Sequence, residues 1–351
     1  MKTKRLAAVA SCLLVLVAAL ASCGGRVEEP QTQARSYYEF FDTVSVILSY
    51  AGDSEAEFSA NSEAVATMLK EYHQLFDIYH EYAGVNNLKT VNLNAGKQPV
   101  EVDRRLIDFL LYAKEIYTLT DGKTNVAMGA VLKLWHEARE DGIDDPEGAY
   151  LPSAEALSHA AAHTDIDQLI IDEDAGTVFL ADPEMSLDVG ALGKGYATEK
   201  AAALLMARGV TAYVLNIGGN LRAIGTKVTG EGWSTGITNP DKSAGQDFVC
   251  RVVLKDESLV TSGNYERFYV VDGKSYHHII DVETHMPAEY FSSVSVFTKD
   301  SGLADALSTA LFCMSHEDGA RLLDRIGGVE AIWVDLEGNV LSTDGVAFLS
   351  E

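Results

Sequence analysis

Between Tyr38 and Tyr50 the chain is dense in aromatic and β-branched residues (YEFFDTVSVILSY), which predicts a strand. The period then changes. Val65, Met68, Leu69, Tyr72, Leu75, Phe76 and Tyr79 recur at helical spacing, so a long helix is expected over 55–79. Residues 81–94 are polar and carry five Asn or Gly, a loop composition. Helical spacing returns over 103–120, with Asp103 placed to cap the first turn, and over 126–141, ending at Gly142. A loop over 142–155 leads to a short helix. Two strand-like runs, 168–172 and 177–180, flank Glu-Asp-Ala-Gly, a hairpin signal. Beyond them, strands surround a helix expected from about Tyr196, and Asn216–Asn220 reads as a hairpin turn. Helices over 303–314 and 317–326 and a hairpin over 331–349 close the chain. Strands come in groups and do not alternate regularly with helices. This predicts an α+β fold with mostly antiparallel sheet and packed helices. No repeat or low-complexity linker interrupts 36–351, which is read as one unit with room for two lobes.

The first residues carry a different pattern. Lys2, Lys4 and Arg5 precede an apolar run from Leu6 to Leu20, and small residues then lead to Cys23. This is a secretory signal. Leu20-Ala21-Ser22-Cys23 is similar to a bacterial lipobox, in which cleavage leaves Cys23 as a lipidated N-terminus; the plainer alternative is an ordinary signal that contains a Cys. Residues 1–22 are therefore expected to be removed and 23–35 to form a lipid-anchored tether ahead of the folded domain. The expected location is the extracytoplasmic face of a bacterial membrane.

The 351 residues carry 27 Lys and Arg against 52 Asp and Glu, a net −25; without residues 1–22, 24 bases remain and the net becomes −28. Such acidity counts against a nucleic-acid partner, which demands a basic footprint. It also asks what cation would hold an anionic ligand. Cys250 lies in a strand-like run and Cys313 in an apolar helix, so both are expected to be buried free thiols. Two Cys support neither a disulfide framework nor a zinc site.

Four motifs carry candidate chemistry. Residues 186–198 (SLDVGALGKGYAT) put three Gly at a strand-to-helix junction, where free N–H groups could meet phosphate. Lys194 is followed by Gly195, which departs from a Walker loop, and the third Gly of a dinucleotide fingerprint is missing; a tight turn explains the Gly equally well. His277 and His278 would face opposite sides of a strand, so one of them would meet a cleft, with Asp281 a few residues on. Asp305 and Thr309 sit at i, i+4 on an apolar helix. A buried carboxylate needs a partner or a metal, and carboxylate plus hydroxyl suits Mg²⁺; an Asp–Thr hydrogen bond is the alternative. Asn216-Ile-Gly-Gly-Asn220 reads as a simple turn. His-Glu-x-x-His, Cys-x-x-Cys and Gly-x-Ser-x-Gly are absent.

Taken together, FFDTVSVI, LFDIYHEYAGVNNLKTVN, TDGKTNVAMGAVLKLW, LDVGALGKGYATEKAA, YVLNIGGNLRAIG, LVTSGNYERFY, YHHIIDVETHMPA and ADALSTALF resemble the ApbE-type FAD:protein FMN transferases, in order and spacing, over 41–312. The resemblance implies a T-fold-like domain with an FAD cleft between two lobes. It implies transfer of FMN from FAD to a Thr or Ser hydroxyl of a client protein, with Mg²⁺ and release of AMP. By the same resemblance Asp305, Thr309 and a carbonyl near Ala191 would hold the metal. Phe41, Tyr79, Lys123, Thr124, Asn125, Asp188, Lys194 and His277 would line the FAD site. His278 would handle the proton of the attacking hydroxyl. Two departures stand out. The family's Asp-Pro-x-Thr-Gly is Asp281-Val-Glu-Thr-His285 here, and its Gly-Ala-Phe-Asp is Gly122-Lys-Thr-Asn125. FAD hydrolysis to FMN and AMP at the same site, and non-enzymatic flavin binding by a surface lipoprotein, are the alternative functions.

Overall fold

The structure, a computed structural model, describes residues 32–349. The signal segment, Cys23 and most of the expected tether lie outside the described residues. The strands are β1 (Gln33–Phe40), β2 (Thr43–Ser49), β3 (Val100–Glu101), β4 (Leu169–Asp172), β5 (Thr177–Leu180), β6 (Ala212–Ile217), β7 (Asn220–Gly225), β8 (Trp233–Thr238), β9 (Phe248–Leu254), β10 (Ser258–Gly263), β11 (Phe268–Val271), β12 (Lys274–His277), β13 (Phe291–Thr298), β14 (Glu330–Asp335) and β15 (Val340–Ser342). The helices are α1 (Glu55–Phe76), α2 (Leu88–Leu93), α3 (Arg104–Leu119), α4 (Gly129–Asp144), α5 (Ala154–Ala161), α6 (Gly193–Ala207), α7 (Ser301–Phe312) and α8 (His316–Ile326).

The central layer is an eight-stranded sheet in the order β1-β2-β6-β7-β10-β13-β14-β15, with every pairing antiparallel. Helix α6 packs on β6 and β7, α7 packs on β10 and β13, and the two helices pack on each other. The β8–β9 ribbon supplies Trp233, Ile237, Val252 and Leu254 to a separate cluster with Ala212, Ala223, Leu259 and Ile332 of the sheet. The class is therefore the expected α+β, because strands buried on both faces need cover from helices on one side and a ribbon on the other. Phe76, Phe109 and Tyr196 lock α1, α3 and α6 together, with ring centroids 4.2 Å apart for Phe76–Phe109 and 5.1 Å for Phe109–Tyr196. A further cluster joins Trp135 and Ala138 of α4 to Leu157 of α5, Tyr269 of β11 and Ile280.

Several local expectations are corrected. The single strand over 38–50 is a hairpin: the chain reverses at Phe41 and Asp42, with φ of 55° and 51°. No Gly announces this turn. The Phe41 N–H donates to His73 Nδ1 at 3.2 Å, an outside contact that stabilises the left-handed conformation. β1 also takes in Gln33 to Arg35, assigned by sequence to the tether, because they pair with Ser49 to Ile47. Within the loop over 81–94, Asn87 caps α2 through its side chain, accepting from Thr90 N at 3.1 Å. Helix α6 starts at Gly193, ahead of Tyr196. The strand carrying the two histidines ends at His277, so alternation of faces does not extend to His278, and Ile279 and Ile280 are both buried. Among the described residues, Cys250 and Cys313 are free; Cys313 is buried, whereas Cys250 is only half-buried. The Asp103 cap, the hairpin of β4 and β5 and the turn between β6 and β7 match expectation.

Candidate active site

The junction of α6 and α7 forms one side of the site. Asp305 is buried in mid-α7, and its Oδ2 accepts from the N–H of Gly195 in the first turn of α6 at 2.7 Å. A Cβ on Gly195 would lie 2.3 Å from the Ser301 carbonyl and 2.4 Å from the Asp305 Cβ, so only Gly allows the two helices to meet this closely. Glu199 of α6 fixes the same junction. It accepts from the Ser301 N–H at 2.9 Å and pairs with Arg222 Nε at 3.1 Å. Burial pushes the Asp305 carboxyl above the usual carboxylate range; the Lys194 ammonium and the Gly195 N–H oppose that shift. The Asn220 amide also favours the ionised form, while its Nδ2 stays outside hydrogen-bond geometry. Thr309 is half-buried one turn along α7, and Ala191 lies in the turn just ahead of α6.

Positive charges gather around His278. Its Nδ1 is buried without a hydrogen-bond partner. Burial, then Arg267, His277, Lys194 and Arg139, hold its pKa down to about 3, so the imidazole is neutral at neutral pH. Arg139 of α4 is itself less basic than usual because it is partly buried beside Arg267. None of Arg139, Lys194 and Arg267 forms a salt bridge with another described residue. Among the described residues, the one side-chain hydrogen bond these three make is a long one, from Lys194 Nζ to Gly190 O at 3.5 Å. Three unpaired cations around a neutral imidazole form a pre-built place for an anion. This local basicity is invisible in the net charge of −25.

A third group borders this one. Tyr79 Oη bonds His136 Nδ1 at 3.0 Å, and Asp188 Oδ2 lies 3.9 Å from the same nitrogen. Asp188 Oδ1 accepts from Gly190 N at 2.9 Å, which shapes the turn leading into α6. Burial lowers the His136 pKa, Asp188 opposes the shift and Arg139 adds to it, so His136 joins the Asp188 and Arg139 groups. Tyr79 remains 53% exposed. The Phe41 turn lies nearby, since Asp42 is among the carboxylates acting on the Tyr79 phenol.

The other residues expected to line the site have structural partners. His277 is saturated: Nε2 donates to Ala288 O at 2.8 Å and Nδ1 accepts from Ile279 N at 3.2 Å. Thr124 is buried and donates to Ala306 O at 2.8 Å. The Asn125 amide donates to Thr164 O at 2.9 Å, and its oxygen accepts from Ala127 N at 2.9 Å. Lys123 pairs with Glu283 at 2.8 Å. The turn after Ile280 closes without the family's Pro and Gly. Asp281 N donates to Met286 O, His285 N to Asp281 O, and His285 takes φ 58°. That left-handed residue costs about 1–2 kcal/mol relative to Gly, offset by Trp135 Nε1 donating to His285 O at 2.9 Å.

Sequence reasoning missed His136, Arg139 and Arg267. His136 and Arg139 sit at i, i+3 on one helix and so share a face, a signal that was available. Arg267 lies just before β11, and the β11–β12 hairpin sets it beside His278, whose N–H donates to Arg267 O at 3.1 Å.

The family model for ApbE matches residues 42–333. A curated FAD:protein FMN transferase of Treponema pallidum (strain Nichols) is 33% identical, over 95% of this chain and 92% of its own length. One of Klebsiella pneumoniae (strain 342) is 30% identical, over 80% of this chain and 85% of its own. Among solved structures, the ApbE protein of Thermotoga maritima matches with a TM-score of 0.77 and 28% identity, over 90% of this chain and 97% of its own. The flavinyl transferase ApbE of Pseudomonas stutzeri in its apo form matches with a TM-score of 0.73 and 25% identity, over 90% of this chain and 95% of its own. With the family's pattern running through nearly all of the described residues, the chain belongs to the ApbE family.

Proposed function

We propose that the protein transfers FMN from FAD onto a Thr or Ser hydroxyl of a client protein, releasing AMP, in an Mg²⁺-dependent reaction. Transfer to a protein is the activity named for both curated relatives. The observation that carries it here is the unpartnered, neutral His278 ringed by Arg139, Lys194 and Arg267. A pyrophosphate dianion would balance these cations, and balancing them raises the basicity of His278. The imidazole then accepts the proton of the client hydroxyl as that oxygen bonds to the FMN-side phosphorus. The pyrophosphate P–O bond breaks, and AMP leaves with its electron pair. Arg139, Lys194 and Arg267 hold the phosphate oxygens and offset charge on the leaving group.

The donor set fits Mg²⁺. Asp305 is a buried carboxylate raised by desolvation, and Thr309 and a carbonyl near Ala191 add hard oxygens. Mg²⁺ bound there would supply charge neutralisation to the phosphates. Asp188, bonded to Gly190 N, shapes the turn and keeps Tyr79 and His136 at the border of the site.

Residues 1–22 act as an export signal in this proposal. Cys23 carries the lipid, and the protein works on the extracytoplasmic face of the membrane. The mass of the mature N-terminus tests this: a lipidated Cys23 is expected, and an unmodified residue there contradicts it.

For the activity, the protein is incubated with FAD, Mg²⁺ and a flavin-accepting client. A fluorescent client band and stoichiometric AMP are expected, with loss of both in EDTA. AMP and free FMN with no labelled client would instead identify a hydrolase. A retained flavin with no AMP would identify a carrier.

A further inference from the structure

Away from the flavin site, three ligand-type side chains converge where α5 ends against the turn after β5. His159, in the last turn of α5, and His163, in the turn just beyond the helix, are four residues apart with ring centroids 5.1 Å apart. Glu184 faces both. Its Oε2 lies 3.7 Å from His159 Nε2 and its Oε1 lies 3.7 Å from His163 Nε2. One ligand atom from each of the three residues lies within 4.8 Å of the other two. Around a tetrahedral Zn²⁺ at ordinary bond lengths, neighbouring ligand atoms sit about 3.4 Å apart. The two Glu184 distances therefore need to shorten by only a few tenths of an ångström.

A second observation is independent of this convergence. Asp182 Oδ2 bonds His163 Nδ1 at 2.7 Å. A carboxylate on Nδ1 fixes the imidazole orientation and leaves the Nε2 lone pair pointing outward, the arrangement that supports metal-bound histidines. The Asp182 side chain is held in turn: its Oδ1 accepts from Glu184 N at 2.9 Å, so one residue orients His163 and positions the backbone of Glu184. His163 is mostly buried and Glu184 more than half exposed, which leaves a fourth position open to solvent.

We propose that His159, His163 and Glu184 bind one Zn²⁺ ion, with Asp182 orienting His163 and water completing the shell. Two imidazoles and one carboxylate favour Zn²⁺ and neighbouring transition metals over Mg²⁺, which demands oxygen ligands. The ion clips the end of α5 to the segment 182–186. That segment continues to Asp188, and Thr164, next to His163, accepts from Asn125. The site thus braces the loops beside the flavin site without contributing to its chemistry, and it stands whether or not the flavin reading holds.

The test is a zinc titration of tag-free protein against a chromophoric chelator, with thermal unfolding in parallel. One equivalent is expected to bind to the wild type and equally to the Asp305→Asn chain, in the presence of excess Mg²⁺. His163→Ala and Glu184→Gln should each lose at least about tenfold in affinity, and Asp182→Asn about 10–100-fold. Zinc should raise Tm in the wild type and not in Glu184→Gln. His159→Ala, at an exposed position, tests the site without risk to the fold and should weaken binding similarly. Failure of the wild type to hold zinc overturns the proposal, as does unchanged affinity in His163→Ala and Glu184→Gln.

Discussion

On the α6–α7 side, Asp305 is buried and has its partner: the Gly195 N–H is bonded to it, and Lys194 favours its charge. Around α4 and the end of β12 the situation is reversed. His278 has an unpartnered Nδ1, and half-buried Arg139 and exposed Arg267 form no salt bridge among the described residues and repel each other. The same contrast recurs within one dipeptide, where His277 uses both ring nitrogens on backbone groups while His278 leaves Nδ1 without a partner. A folded chain rarely leaves buried polar groups unsatisfied unless a ligand completes them. The Asp305 carboxylate is thus partly paired within the protein, whereas the cations around His278 are left for a ligand to pair.

The largest expected effect comes from breaking the unpaired side at its proton acceptor. His278→Gln should lower kcat for flavin transfer by about 10²–10⁴-fold with FAD affinity largely retained, read from the growth of client fluorescence and from FAD titration. Asp305→Asn acts on the paired side. Its kcat should drop by about 10²-fold or more, and the residual rate should no longer respond to Mg²⁺. Arg139→Met and Arg267→Met should each raise the FAD Kd by roughly 10–100-fold, the size of one lost charged hydrogen bond. Gly195→Ala should cost about 1–3 kcal/mol in denaturant unfolding, because its Cβ meets backbone and the two helices must separate.

The last expected effect is on acid stability, read as a slope against pH. His278 has a folded pKa of about 3, below the ordinary imidazole value of about 6.5, so the unfolded chain takes up a proton that the folded one refuses. Stability is lost as pH falls through that window, at up to about 1.4 kcal/mol per pH unit. His278→Gln should show a shallower slope than the wild type there, and an identical slope would break the link between its burial and its neutrality.

Much of this was legible in the chain, and the reasons differ by residue. Asp305 stands out as a carboxylate on an apolar helix, and the fold buries it against the Gly195 N–H. Asp103 and the hairpin of β4 and β5 follow from local chemistry alone. The turn at Phe41–Asp42 was hidden because Phe41 is not a usual left-handed residue; a contact from His73, 32 positions away, stabilises it. Thr124, Asn125 and His277 look like site residues in the motif, but distant backbone groups engage their polar atoms. The cation cluster was hidden twice, by a net charge of the opposite sign and by the distance in sequence from Arg139 to Arg267.

Titration of the His278 imidazole by nuclear magnetic resonance, in the free protein and with FAD bound, tests the idea of charge left for the substrate most directly. A pKa near 3 in the free protein that rises clearly when FAD neutralises Arg139, Lys194 and Arg267 is the expected result. An ordinary pKa of about 6.5 in the free protein, unmoved by FAD, would contradict it.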